Sequence, residues 1–342
     1  MENPEILIPK ETHPKPKHAV WITHMYPPED NAGAELMAHV LNVFLVKKGW
    51  KVIVLIPEFS HKTHEGVHIV KFKEKDAVEK SLKEASLIIS HLKYSTLSVK
   101  IAKQLELPIV LLIHNSFQIP YFRDFLEMIP PSQLHLIYNS LWIQRFYKRF
   151  NLDNRVLYPP IDSSKFNFPV KKGNYVTLVN CTKDKGGDTL VKIARKMPEI
   201  QFLGVLGSHG EQIIEKSVPN LHYMKNTPNV RLFYEKSAIV LMPSSYESWG
   251  RVAVESMCLG IPVIAHPTNG LKESLGEAGT FANRDLPDQW VTAIRTLLTN
   301  PWLYERKSME GIIRAKEVDT NEQLKDVEHW MSSLKYKGRV DV

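Results

Sequence analysis

Cysteine is nearly missing from this chain of 342 residues, which has only Cys181 and Cys258. Two cysteines supply neither a disulfide framework nor a four-cysteine zinc site, and they suit a reducing compartment. Long apolar runs are missing as well. Stretches such as Ile109 to Ile113 have strand length, far short of the roughly 18 residues a spanning helix needs, so a membrane-spanning protein is excluded. The amino-terminal MENPEILIPKETHPKPKH contains no apolar stretch of signal-peptide length, which predicts a cytoplasmic protein. No segment is of low complexity and no repeat of solenoid period is visible. A composition 43% apolar and 24% charged excludes disorder as a description of the whole chain.

Charge of one sign is in excess. Lys plus Arg outnumber Asp plus Glu by 44 − 37 = 7, which favours an anionic partner: a nucleotide, a phospholipid surface or nucleic acid. The length itself predicts two domains or one large one.

Short β-rich runs alternate with helical patterns. His18 to Thr23, Lys51 to Ile56, Ser86 to Ser90, Pro108 to Ile113 and Gln133 to Tyr138 read as strands. Between them Ala34 to Lys48, Ala77 to Glu84, Thr96 to Leu105 and Tyr121 to Met128 read as helices. Alternation of this kind implies parallel strands with helical crossovers, a doubly wound sheet. Residues Tyr158 to Gly173 then break the pattern with three prolines and no periodicity, as a linker does. Beyond it the alternation restarts at Tyr175 and runs through strands at 200–206, 238–242 and 262–265. The expected organisation is α/β with two Rossmann-like domains: 1–160, a linker over 161–173, and 174–315. A helical tail over 316–342 is free to dock back on the first domain. Two such halves turn their strand carboxyl ends, where ligands of these sheets bind, toward a shared cleft.

The most informative stretch is Ser245 to Ala265, SYESWGRVAVESMCLGIPVIA. A strand delivers the chain into a polar loop with Glu247; a helix opens near Gly250, carries Glu255 about one turn in, and ends at Gly260. A helix amino terminus offers unpaired N–H groups and partial positive charge to an anion such as phosphate. A carboxylate one turn further in can accept hydrogen bonds from vicinal hydroxyls of a ribose.

With its flanks, this stretch resembles the nucleotide-sugar site of glycosyltransferase family four, the retaining two-Rossmann-domain (GT-B) enzymes. Glu247, Glu255, Gly260, Pro262 and Val263 match the family's E-x7-E helix and G-x-P-V strand, and Asn269 to Glu273 stand where the family has G-G-x-x-E. Gly33, Ala34 and Glu35 resemble its acceptor-side loop. Tyr158 to Phe166 resembles its interdomain segment, and Asn180 to Asp188 (NCTKDKGGD) its diphosphate-binding segment. Many relatives have an arginine at the position of Asn180, and Lys183 can supply that charge. The resemblance implies a retaining glycosyltransferase that moves a sugar from a nucleotide-diphosphate sugar, commonly a UDP-sugar, to a hydroxyl acceptor by front-face attack. Glu247 and His114 are then the expected catalytic residues. Asn180, Lys183, Lys185, Trp249, Gly250, Arg251 and Glu255 are expected to hold the donor, with Lys185 stabilising the leaving diphosphate.

His114 ends the strand PIVLLIHNS at its carboxyl end, a position suited to a ligand role. Asn115 and Ser116 follow it, and His91 ends the preceding strand. His61, His64 and His68 (HKTHEGVH) invite a zinc reading, but their spacing straddles a glycine turn. Asp-x-Asp, the metal-diphosphate signature of the other main glycosyltransferase fold, does not occur, so no metal and no cofactor are expected. Gly204, Gly207 and Gly210 do not make the spacing of a dinucleotide site and read as a turn after a strand.

The acceptor is left open between a saccharide or lipid-linked saccharide and modified DNA. The Lys47, Lys48 and Trp50 neighbourhood suits a peripheral contact with an anionic membrane. WIQRFYKRF over 142–150 has the basic and aromatic mixture of a groove for hydroxymethylated DNA, although an amphipathic helix packing Trp142, Phe146 and Phe150 inward explains it better. A nucleotide-sugar-binding protein without turnover and a sugar-nucleotide epimerase are the remaining alternatives.

Overall fold

The computed structural model describes residues 17–334, apart from 31, 162–165, 167, 169–171 and the side chains of 118–121. The amino-terminal lead, most of the expected linker and the end of the tail lie outside the described residues. Among the described residues two open sheets form. The first holds β1 (His18–Ile22), β2 (Lys51–Ile56), β3 (Thr63–His64), β4 (Val67–Lys71), β5 (Leu87–His91), β6 (Ile109–Ile113), β7 (Leu134–Tyr138) and β8 (Asn154–Val156). Their order is β3-β4-β2-β1-β5-β6-β7-β8, and the β3–β4 pair alone is antiparallel. Its crossovers are α1 (Gly33–Lys47), α2 (Lys75–Glu84), α3 (Ser95–Leu105), α4 (Ile119–Met128) and α5 (Leu141–Tyr147).

The second sheet runs β11-β10-β9-β12-β13-β14, all parallel, from β9 (Tyr175–Val179), β10 (Gln201–Val205), β11 (Leu221–Met224), β12 (Ser237–Met242), β13 (Val263–Ala265) and β14 (Thr280–Phe281). Its helices are α6 (Gly187–Lys196), α7 (Arg231–Tyr234), α8 (Arg251–Cys258), α9 (Asn269–Leu275), α10 (Pro287–Thr299) and α11 (Pro301–Glu317), and α12 (Asn321–Ser333) closes the described chain. This is the expected pair of Rossmann-like sheets.

The apolar runs follow from burial on both sheet faces. Ile109 to Ile113 are all buried, so the strand shows no polar alternation. Neighbours along a strand feed opposite cores: Ala19 and Trp21 pack on one face of the first sheet, Val20 and Ile22 on the other. Helix α1 covers one face with Met37, Ala38, Leu41 and Leu45, and stops where Gly49 turns the chain at φ 82°.

Several elements were not legible in the pattern. The β3–β4 hairpin hides in a histidine-rich stretch, and α11 carries little apolar face to announce it, beginning instead at a cap where Asn300 Oδ1 accepts from the Leu303 N–H at 3.0 Å. Helix α9 is capped in the same way by Thr268 Oγ1, 3.2 Å from the Leu271 nitrogen.

Helix α12 returns from the second half to the first. Leu324, Val327, Trp330 and Met331 enter the same core as Trp21 and Leu41. Trp330 Nε1 donates to Asp153 at 3.0 Å, and Glu328 accepts from Trp50 Nε1 at 2.9 Å and Lys17 at 2.7 Å. Trp50 is therefore buried beneath α12 at 5% exposure and offers no face to a membrane, contrary to the expectation above. Trp330→Phe keeps most of the ring and loses the N–H donor, so it should lower stability by about 1 kcal/mol, read as a lower urea midpoint.

Helix α5 also departs from expectation. Its buried side chains are Ile143 and Tyr147, whereas Phe146 is 43% exposed and Trp142 is only partly covered. Trp142 leans toward the second domain, as described below.

Candidate active site

In the second sheet the strand order reverses between β9 and β12, where the loops after both strands open side by side. The loop after β9 leads into α6 through Thr182, Lys183, Asp184, Lys185 and Gly186. Gly186 sits at φ 90°, and a Cβ there would lie 2.4 Å from Pro243 Cγ, so neither the conformation nor the space admits a side chain. The loop after β12 leads into α8 through Gly250, at φ 96°, where a Cβ would lie 2.5 Å from Leu271 Cδ2. Each helix amino terminus is thus fixed against the neighbouring loop.

Between these termini Lys185 Nζ lies 2.5 Å from Glu247 Oε1, which also accepts from Ser244 Oγ at 2.8 Å. The pair is mostly covered, with side-chain exposures of 33% and 13%. A cation and a carboxylate beside two helix amino termini can hold a diphosphate and a polyhydroxyl group next to one another. Lys183 is exposed one turn away.

Glu255 does different work. It is 8% exposed, its Oε2 accepts from Tyr234 Oη at 2.9 Å and its Oε1 from Arg251 Nε at 2.9 Å. Arg251 in turn donates to the Pro160 carbonyl at 2.7 Å, tying α8 to the segment that joins the domains. Trp249 is buried at 2% and stacks on Tyr158 with ring centroids 3.9 Å apart. Asn180 takes a left-handed φ of 68°, and its Oδ1 accepts from Thr182 N and Gln212 Nε2, both at 3.3 Å. Gln212 Oε1 also accepts from the N–H groups of Cys181 and Gly207, so the glycine-bearing turn after β10 is a buttress for the Asn180 loop.

The first domain contributes the opposite wall. Helix α1 starts at Gly33, with Glu35 buried in its first turn; burial holds the Glu35 carboxyl above the usual range, and Asp30 adds to this. His114 follows β6 and His91 ends β5. Their hydrogen bonds assign the protons. Thr23 Oγ1 gives its one proton to the Met25 carbonyl at 3.0 Å, so it accepts from His91 Nε2 at 2.9 Å. Burial keeps His91 neutral, its pKa pushed well down, so His91 Nδ1 is bare and accepts from His114 Nε2 at 3.0 Å. Burial also lowers the His114 pKa to about 4, leaving its Nδ1 as an acceptor. Replacing His91 by phenylalanine removes the partner that fixes this tautomer, and turnover should fall about tenfold.

These shifts carry a pH signature. The unfolded histidines titrate near 6.5, while folded His114 titrates near 4. Between those values the unfolded chain binds more protons, so stability is full above about pH 6.5 and declines as pH falls toward 4. Melting curves at pH 5 and 7.5 check the sign.

Contacts across the cleft come from residues to which the sequence assigned no such role. Glu273 accepts from the N–H groups of Leu141 and Trp142 at 2.7 and 2.8 Å, capping α5 of the opposite domain. Trp142 Nε1 donates to the Ser248 carbonyl at 2.7 Å, and Asn139 Nδ2 bridges Ser248 Oγ and the His114 carbonyl. Tyr246 Oη accepts from Ser116 N at 2.9 Å. Tyr246 and Ser248 flank Glu247, so the loop that carries the carboxylate also touches the wall that carries His114. Arg284, also unanticipated, donates to the carbonyls of Lys183 and Asp184 and supports the lysine-bearing turn.

Residues 161–316 match the family described as Glycosyl transferases group 1. The chain has the GT-B fold, and its second half is similar to that family. An uncharacterized glycosyltransferase of Haemophilus influenzae is 28% identical to it over 167 residues, 44% of this chain and 45% of that protein. A D-inositol 3-phosphate glycosyltransferase of Rhodococcus opacus is 37% identical over 70 residues, 20% of this chain and 16% of that protein. The chain thus matches less than half the length of these curated relatives. The fold is shared with Anabaena HepE in complex with UDP-glucose, at a TM-score of 0.75 and 16% identity over 93% of this chain and 100% of that one. The family match spans the Asn180, Lys185, Glu247 and Glu255 loops and stops short of α12.

Proposed function

We propose that the chain transfers a sugar from a nucleotide-diphosphate sugar, a UDP-sugar, to a hydroxyl acceptor with retention of configuration and without a metal at the reacting centre. The observation that carries this reading is the Lys185–Glu247 pair at the strand-order reversal, between the amino termini of α6 and α8. Two similar folds support the choice of donor: Anabaena HepE has been solved with UDP-glucose, and an E. coli trehalose-6-phosphate protein with UDP-2-fluoro glucose.

In this mechanism the bond between sugar C1 and the β-phosphate oxygen breaks while the acceptor oxygen bonds C1 from the same face. The acceptor proton passes to the departing phosphate, and nucleoside diphosphate leaves. Lys185 and the N–H groups of the two helix termini stabilise the charge that grows on the diphosphate. Glu247 accepts hydrogen bonds from sugar hydroxyls, and neutral His114 accepts another through Nδ1 without adding charge near C1. Glu255 stays on Tyr234 and Arg251 with lone pairs left for ribose hydroxyls. Lys183 offers the diphosphate a second cation.

The acceptor belongs to the first-domain wall at Gly33, Ala34 and Glu35, and its class is a saccharide or lipid-linked saccharide. NMR of the product should give the donor's anomeric configuration; an inverted product sinks the front-face route. Transfer to duplex DNA, donor epimerisation without acceptor, or binding without turnover would each replace this reading by one of the alternatives raised from the sequence.

A further inference from the structure

The edge hairpin of the first sheet gathers three ligating side chains that the cleft does not use. Strands β3 and β4 are joined by Glu65 and Gly66, both left-handed at φ 47° and 82°, and the turn folds against α1, where a Cβ on Gly66 would lie 3.1 Å from Val46 Cγ1. His39, in the middle of α1, is 7% exposed. Its Nδ1 lies 3.0 Å from Tyr26 Oη, which also accepts from Asn42 Nδ2 at 3.1 Å, so one edge of the imidazole is anchored in the core. The other edge meets the hairpin: Nε2 is 3.6 Å from Glu65 Oε2, and the ring stacks on His64 with centroids 4.5 Å apart. One ligand atom from each of His39, His64 and Glu65 lies within 4.8 Å of the other two.

We propose that His39, His64 and Glu65 form a divalent transition-metal site of the zinc class, which clips the edge hairpin to α1. Two imidazoles and a carboxylate suit zinc and cobalt, with water completing a four-coordinate shell. His39 is the fixed member, since Tyr26 can take its Nδ1 proton and leave Nε2 to the ion, the outer partner a histidine ligand requires. The other two sit on the more exposed side of the cluster, with Glu65 54% exposed, and can close onto it. Bonds of about 2.1 Å place tetrahedral ligands roughly 3.4 Å apart, so closure by up to about 1.4 Å completes the site.

The site stands apart from the proposed reaction. Pairing of His68 with Ile53 and Thr63 aims the β3–β4 turn toward the amino-terminal ends of the strands, away from the cleft. The histidines whose zinc reading the sequence raised and set aside form a different trio. His61 lies against Phe59 and His68 is exposed on β4, so of the three histidines in HKTHEGVH only His64 belongs to the cluster.

Cobalt absorption and zinc calorimetry on the metal-stripped chain test this. One ion per chain should bind at micromolar concentrations, with cobalt giving the visible bands of a low-coordinate N/O site that zinc displaces. His64→Ala and Glu65→Gln should each weaken binding at least about tenfold, while His61→Ala and His68→Ala stay within about twofold. Both decisive positions are at the surface, and circular dichroism verifies that the variants fold. Absence of stoichiometric binding overturns the proposal. So does binding that survives both His64→Ala and Glu65→Gln, or that falls as far with His61→Ala or His68→Ala, since either marks adventitious capture by surface histidines.

Discussion

Glu247→Gln should lower donor turnover about 10²- to 10³-fold while leaving the melting temperature nearly unchanged. The substitution keeps the shape and the contact with Ser244, and removes the charge that faces Lys185 at 2.5 Å. Stability is little affected because Lys185 is a third exposed and such pairs contribute little to folding. Activity falls because a glutamine no longer accepts from sugar hydroxyls as a carboxylate does and no longer orients the lysine. Lys185→Ala should cost a similar factor. Since the two groups touch, the double variant should fall well short of the product of the single losses. Steady-state kinetics on the four proteins measures this, and full activity in Glu247→Gln removes the carboxylate from the mechanism.

Gly270→Ala should lower stability by about 3 kcal/mol and abolish turnover. A Cβ at this position would lie 2.4 Å from the Glu247 carbonyl oxygen, 2.4 Å from the Ser248 carbonyl carbon and 2.6 Å from Trp249 N. All three are main-chain atoms, so no side chain can yield. Either α9 backs away, carrying Glu273 off the α5 amino terminus, or the loop moves and takes Glu247 with it. Gly33→Ala makes a useful contrast, because nothing lies within 4 Å of the added methyl and the residue is helical. Its stability should hold or rise slightly. Denaturant titration and turnover of both variants distinguish a steric site from a permissive one.

What the sequence disclosed and what it concealed follow from the range of the interactions. Strands such as Lys51–Ile56 announce themselves as short continuous apolar runs buried on both faces, and helices such as Gly33–Lys47 by apolar residues at helical spacing. The Glu247 loop was legible for a similar reason: the strand, glycine, helix and second strand lie within one short stretch. Contacts that bridge the domains have no local signature. Glu273 stood out within a motif, yet its partners Leu141 and Trp142 are 132 and 131 residues away in sequence, so its capping role could not be read. Tyr234 and Arg284 were missed because nothing near them suggests that they support Glu255 and the Lys183 turn. Trp50 misled for a related reason. Beside Lys47 and Lys48 it reads as a surface tryptophan, and only the return of α12, which presents Glu328 to its indole, covers it.

Titration calorimetry with UDP, UMP and a UDP-sugar puts the central claim to its most direct test. If Lys185 and the two helix termini grip a diphosphate, UDP and the UDP-sugar bind one per chain, UMP binds at least about tenfold more weakly, and Lys185→Ala erases most of that difference. Equal affinity for UMP and UDP, or no binding of any of the three, would contradict the account.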